Sequence, residues 1–207
     1  MGNGKRACGP IFAVLMTLLA ACETPTIGTS FSRPPPDFVR LGETTRAQIV
    51  AEYGKPAEER QVRADGHLLS IISYYHGNRE EAPRIPGSVC VRTLQFAVSA
   101  DIVVAEAFSS NCEADHTDFD DSRVASIVKG TSRCDTVIAA LGRPTSRSIY
   151  PANANKDELS IGYSFEAMGP GPSFAPTVSY RYRKQLEVIC SQDGIVRDVS
   201  FFESGKR

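Results

Sequence analysis

The chain has 207 residues, of which 42% are hydrophobic and 23% charged, and a formal net charge of −1. That near-neutral balance, with arginines scattered and not gathered into a stripe, argues against an electrostatic nucleic-acid binder.

Residues 1–10 carry Lys5 and Arg6 and no acid, and residues 11–20 are apolar except for Thr17. The apolar run is half the ~20 residues a spanning helix needs and fits the core of a signal peptide. It ends in Leu19-Ala20-Ala21-Cys22, the pattern of lipoprotein processing, so residues 1–21 are expected to be removed and Cys22 acylated. Each buried methylene is worth ~0.8 kcal/mol, so two or three acyl chains hold a protein on a bilayer where one binds reversibly. Glu23 in place of Asp favours the outer membrane, periplasmic side. The mature chain of 207 − 21 = 186 residues has a charge of −3 once Lys5 and Arg6 are gone, and no later run approaches spanning length. Residues 22–37, rich in Pro, Thr and Ser, have no periodicity and are expected to be a tether. The fifteen residues after Cys22 reach on the order of 20–45 Å.

The remainder repeats itself. Gly42-Glu43-Thr44 opens a helical segment that closes at Gly54-Lys55-Pro56, and 88 residues later Gly130-Thr131-Ser132 opens one that closes at Gly142-Arg143-Pro144. Ile49, Val50 and Tyr53 correspond to Val137, Ile138 and Leu141, one apolar face on a short helix. Thr44 or Thr45 and Ser132 are the expected N-caps, with Gln48 and Asp135 completing capping boxes, and Gly54 and Gly142 suit the position after the last turn. Ile72-Ser73-Tyr74 then matches Ile161-Gly162-Tyr163, Leu94-Gln95-Phe96 matches Leu186-Glu187-Val188, and Asp101 matches Asp193. Gly/Pro-rich insertions fall at residues 77–88 and 168–177. The expected fold class is therefore α+β in two tandem units, residues 38–112 and 123–207, each with short helices packed on its own three- to four-stranded antiparallel sheet.

Between them, residues 113–122 hold Glu113, Asp115, Asp118, Asp120 and Asp121. The spacing lacks the alternating ligands and central glycine of a calcium loop, so a solvated acidic linker is expected. With Cys8 removed and Cys22 acylated, Cys90, Cys112, Cys134 and Cys190 remain, an even set with three possible connectivities. Cys90 and Cys112 flank the Ala100-Asp101 turn equally, and Cys134 shares the helix face that meets the strand of Cys190. Cys90–Cys112 and Cys134–Cys190 are the pairs expected. No metal site is expected, because no two of these cysteines are closer than 22 residues and His67, His76 and His116 are not spaced around them.

No nucleophile elbow, zinc-protease helix, phosphate loop or dinucleotide fingerprint occurs. No cofactor and no small-molecule substrate are expected, and His67 and His76, near Glu80 and Glu81, read as isolated surface histidines. Tyr74, Tyr75, Tyr163, Tyr180 and Tyr182 alternate with polar residues on expected strands. Most read as half-buried sheet residues; the sharper alternative makes Tyr74, Tyr163, Tyr180 and Tyr182 a candidate patch for a protein partner on the open sheet face, which Arg181 and Arg183 could complete.

The succession Gly-x-Thr/Ser, short apolar helix, Gly-x-Pro, tyrosine-bearing strand and hairpin resembles the SmpA/OmlA (BamE) family of outer-membrane lipoproteins. Two units in tandem are similar in architecture to the β-lactamase-inhibitory protein. The first resemblance implies a non-catalytic accessory of the machinery that assembles outer-membrane β-barrels, or of envelope maintenance. The second implies an inhibitor that binds a periplasmic or secreted enzyme through its sheet. Scaffold or accessory binding module is the expected function, and inhibitor is the alternative.

Overall fold

Helix stops at Gly54 and Gly142 shape both halves of the chain. The computed structural model describes residues 27–86, 88–169 and 179–205. Helix α1, Arg46–Tyr53, starts from a complete capping box in which Thr45 accepts from the Gln48 amide and the Gln48 side chain accepts from the Thr45 amide. It ends where Gly54 takes φ 75°, a conformation that disfavours any side chain. Helix α2, Cys134–Leu141, ends the same way at Gly142 but begins differently. Its N-cap is Arg133, without a side-chain bond. Ser132, the expected cap, instead accepts the Val128 amide at 2.8 Å, which tightens the turn before the helix.

The strands are β1 Ile27–Gly28, β2 Glu58–Ala64, β3 His67–Asn78, β4 Cys90–Ser99, β5 Ile102–Ser110, β6 Ser146–Ser148, β7 Glu158–Gly169, β8 Ser179–Ser191 and β9 Val196–Gly205. All pair antiparallel in one sheet of order β1-β3-β4-β5-β6-β7-β8-β9. β2 lies against residues 67–73 of β3 and β1 against residues 76–77, on the same edge, so nine strands fill eight lateral positions. This overturns the expected α+β class. The described residues form mostly one continuous antiparallel sheet with two short α-helices and two 3-10 turns, not helices packed on two separate sheets.

The joint is β6. Its Ser146 and Ser148 pair with Ala107 and Ala105 of β5 on one side, and with Gly162 and Ser160 of β7 on the other. A three-residue polar strand has neither apolar alternation nor length, so it leaves no signal in sequence. Small residues make the joint possible. A Cβ on Gly162 would overlap Ser146 Oγ.

All described helical elements pack on one side of the sheet. α1 covers Ile72, Tyr74, Leu94, Phe96 and Phe108 in the first half, and α2 covers Ile161, Tyr163, Leu186 and Val188 in the second. Disulfide Cys90–Cys112 lies within the first half, and Cys134–Cys190 ties α2 to β8 within the second.

Two segments expected to be solvated are folded. From Ile27 onward the tether is a strap. It pairs with β3, sets Phe31 against Tyr53 and His76, and buries Pro34. Arg33 donates to the carbonyls of Arg143 and Pro144, with its guanidinium 5.6 Å from the Phe108 ring centroid. The acidic stretch docks as well. Asp115 pairs with Arg92 at 2.6 Å, and Asp118 and Asp121 pair with Lys184 at 2.8 and 2.6 Å. Cations at buried strand positions need such partners, which charge spacing within the stretch could not reveal. The 3-10 turns Glu113–Asp115 and Asp121–Ser126 lie within this docked run.

The sheet edges differ. β2 carries Glu58, Glu59, Arg60 and Arg63, the charged blunting typical of an outer strand, whereas β9 exposes Phe201 and Phe202.

Candidate functional site

Strand parity decides what faces the side without helices. Along β7, Ile161, Tyr163 and Phe165 point to the core, so Ser160, Gly162, Ser164 and Glu166 point the other way. On β4 the same alternation sends Leu94 and Phe96 to the core and Thr93 and Gln95 outward. The outward residues line a trough of about 680 Å³ that crosses the strands from β3 to β9. Its floor is short and polar, with Thr93, Ser109, Ser146, Ser160, Ser164 and Ser200, and Tyr75 and Phe202 stand on β3 and β9 near its two sides. Beyond it, toward the Asp65-Gly66 turn, Ile149 and Ala152 pack over Leu69, Ala97 and Val104 and close that part of the face. Tyr150 in the same segment meets His67, with hydroxyl and Nε2 2.7 Å apart.

Charge in the trough is sparse. Glu166 pairs with Arg183 at 3.2 Å, and the Arg183 guanidinium lies 5.9 Å from the Phe202 ring centroid. Burial pushes the Glu166 carboxyl above its usual range, against the opposing pull of Arg183. Glu187 accepts from Ser160 Oγ at 2.8 Å, and Tyr75 donates to Glu58 at 2.9 Å on the rim. Glu187 sits opposite Gly162, four residues along β7 from Glu166. Four residues of strand separate their backbones by about 13 Å.

Three of the four tyrosines expected in a partner patch do not face this surface. Tyr74, Tyr163 and Tyr182 are 5%, 2% and 3% exposed and lie on the core side. Their hydroxyls bond Gly54 O, Gly142 O and Glu203. They share parity with the apolar residues of their strands, and an aromatic ring with one polar tip suits a core whose edge offers an acceptor. Burial pushes the Tyr163 phenol up to about 12. The side chains of Tyr180 and Arg181 lie outside the described residues, as do residues 1–21 and Cys22. The serines and threonines that line the trough carry no sequence motif. Their one signal in sequence is strand parity opposite to Ile161, Tyr163 and Phe165.

Two further places gather polar side chains. A hollow of about 410 Å³ lies between the strap and the end of α1, with Arg33, Tyr53 and Tyr74 among its walls. Burial, and then the neighbouring Arg143, lowers the Arg33 guanidinium to about 10. At the far end of β3, His76 is buried rather than on the surface as expected, with Nε2 3.4 Å from Glu81. Glu81 also binds Arg92 and lies with Cys90 and Cys112 in a group whose ligand atoms are within 4.8 Å of one another. Both sulfurs are in a disulfide there and have no thiolate to offer a metal.

No protein-family model and no curated protein matches the sequence, so the SmpA/OmlA resemblance has no support beyond the short motifs that suggested it. Among solved structures, the chain is similar to one described as a "putative beta-lactamase inhibitor protein" from Streptococcus mutans. The two are 14% identical, with a TM-score of 0.41 over 77% of this chain and 82% of that one. A likeness of that extent carries no argument about activity.

Proposed function

We propose that this chain is a lipid-anchored envelope protein that acts without catalysis, by binding a protein partner on its open sheet face. The observation that carries the reading is the trough from β3 to β9, uncovered among the described residues, while the helices, strap and disulfides all pack on the opposite side. A floor of serine and threonine orders few rotatable bonds when it is covered. Tyr75 and Phe202 provide the aromatic contacts on which interfaces commonly concentrate their energy. The trough is open along its solvent side, unlike the enclosed clefts that bury most of a small ligand.

The anchor in this reading is acylated Cys22, and the compartment is the periplasmic face of the outer membrane. Lys5, Arg6, the apolar run and Leu19-Ala20-Ala21-Cys22 support that part from sequence alone. The partner is another envelope protein, and the β-barrel assembly machinery is the candidate that the family resemblance names.

Affinity purification of the full-length chain from detergent-solubilised envelopes tests the reading. The wild type should retain a stoichiometric partner that the double variant Thr93→Arg, Ser200→Arg loses and the helix-side variant Val128→Ser keeps. Retention by the trough variant at wild-type yield refutes it. A partner that proves to be a hydrolase, inhibited one to one, would make the chain an inhibitor.

A further inference from the structure

The strap changes the geometry of anchoring. If residues 22–37 were free, the acylated cysteine would stand 38 − 22 = 16 Cα steps from Phe38, a full extension of about 55 Å. Ile27, the first described residue, instead already pairs with Gly77. From Cys22 to Ile27 is 27 − 22 = 5 residues, at most about 18 Å of extended chain.

The strap is held at several independent points. Gly28 (φ 76°) lies so close to β3 that a Cβ there would overlap the Tyr75 carbonyl. Phe31 sits edge-on to Tyr53. Arg33 binds two carbonyls beyond α2. Pro34 and Val39 are buried. Slack cannot be recovered without breaking these contacts.

Direction follows from pairing. β1 is antiparallel to β3, so the chain enters past the end of β3 at Asn78. The same end of the sheet carries the β3–β4 connection with exposed Arg79, and the 3-10 turn Glu113–Asp115 that follows β5. The tight turns at Asp65-Gly66, Ala100-Asp101 and Asp193-Gly194 mark the opposite end. β3 has 12 residues, so the two ends stand about 40 Å apart.

We infer that the bilayer faces the Arg79 end of the sheet, that the strands rise away from it, and that the trough opens sideways close to the membrane. The surface that the Arg79 end meets is a phospholipid headgroup layer. A partner in the trough must then be a membrane-embedded or membrane-bound protein whose binding segment projects no more than about 60 Å from the bilayer, by the tether and strand lengths above. This inference rests on the acylation of Cys22 proposed above.

The chain contains no tryptophan, so a single introduced one reports position. Full-length Arg79→Trp and Gln192→Trp variants, both at exposed sites, are purified from a Gram-negative host, weighed intact, and placed in phosphatidylethanolamine–phosphatidylglycerol vesicles containing a dansyl-headgroup lipid. Energy transfer should be at least threefold greater for Arg79→Trp than for Gln192→Trp. A twenty-residue Gly/Ser insertion after Thr26 should reduce the Arg79→Trp signal by half or more. Equal transfer from both positions, or greater transfer from Gln192→Trp, overturns the orientation. A mature chain whose mass shows no acyl groups overturns the anchor itself, and that result is read before any vesicle is made.

Discussion

The phenol of Tyr163 donates to the carbonyl of Gly142 at 3.0 Å, and the phenol of Tyr74 makes the same bond at the same length to Gly54. In each half of the chain a core tyrosine of the sheet thus ties down the glycine where the helix stops. The two bonds are the structural counterpart of the repeated Gly-x-Pro and Ile-x-Tyr motifs. A net hydrogen bond of this kind contributes about 0.5–1.5 kcal/mol. Tyr74→Phe and Tyr163→Phe should each lose about that much in urea unfolding. They lie in separate core clusters, so the double variant should show the sum within about 0.5 kcal/mol.

Lys184 is fully buried, 4.5 Å from the Phe119 ring centroid, and bonded to Asp118, Asp121 and the Phe119 carbonyl. Removing one partner of a buried ion pair costs about 3–5 kcal/mol, chiefly because the other charge is left uncompensated. Lys184→Met should fall in that range. Adding Asp118→Asn and Asp121→Asn should recover more than half of the loss, and a triple variant no more stable than Lys184→Met would refute this account of the acidic stretch.

Two glutamates should give pH dependences of opposite sign. Hydrogen bonds from Arg92 hold Glu81 below its ordinary 4.5, against burial, whereas burial holds Glu166 above 4.5, against Arg183. A lowered carboxyl contributes stability that is present above its unfolded pKa and is lost as pH falls through its folded pKa. A raised one contributes stability below its unfolded pKa that is lost as pH rises through its folded pKa. Glu81→Gln should therefore be destabilised relative to wild type at neutral pH, by an amount that shrinks in acid. For Glu166→Gln the difference should move in the variant's favour as pH rises past 4.5. Parallel denaturation curves at acid and neutral pH distinguish the two.

The disulfides close loops of different length, 22 residues for Cys90–Cys112 and 56 for Cys134–Cys190. Loop entropy alone gives about 3.4 and about 4.2 kcal/mol. Replacing each pair by alanine should lower the unfolding midpoint more for Cys134–Cys190. Equal losses would show that packing around the sulfurs, and not chain entropy, sets their worth.

Sequence and structure agree where periodicity is strong. The stops at Gly54 and Gly142, the apolar helix faces and the long strands with Ile72 and Ile161 were all legible, because each combines a period with a terminator. The merging of two sheets was not. It depends on Ser146–Ser148, three polar residues whose pairing is set by the flanking long strands and by the room left at Gly162 and Ala107. Tyr74 and Tyr163 face the core because they share the parity of Ile72 and Ile161, which an alternation of polar and aromatic residues alone leaves undecided. The strap and acidic stretch look solvated by composition, since their partners, Phe108, Arg92 and Lys184, are distant in sequence.

The central claim is that the open sheet face meets a protein, and site-specific photo-crosslinking in living cells tests it most directly. A photoreactive phenylalanine analogue would replace Thr93 or Phe202 in the trough, and Val128 or Ile138 on the helix side. The account predicts one discrete adduct from both trough positions, absent from both helix-side positions and lost when Ser200→Arg is added. Adducts of equal yield from the two sides, or a discrete adduct from Val128 or Ile138 alone, would contradict it.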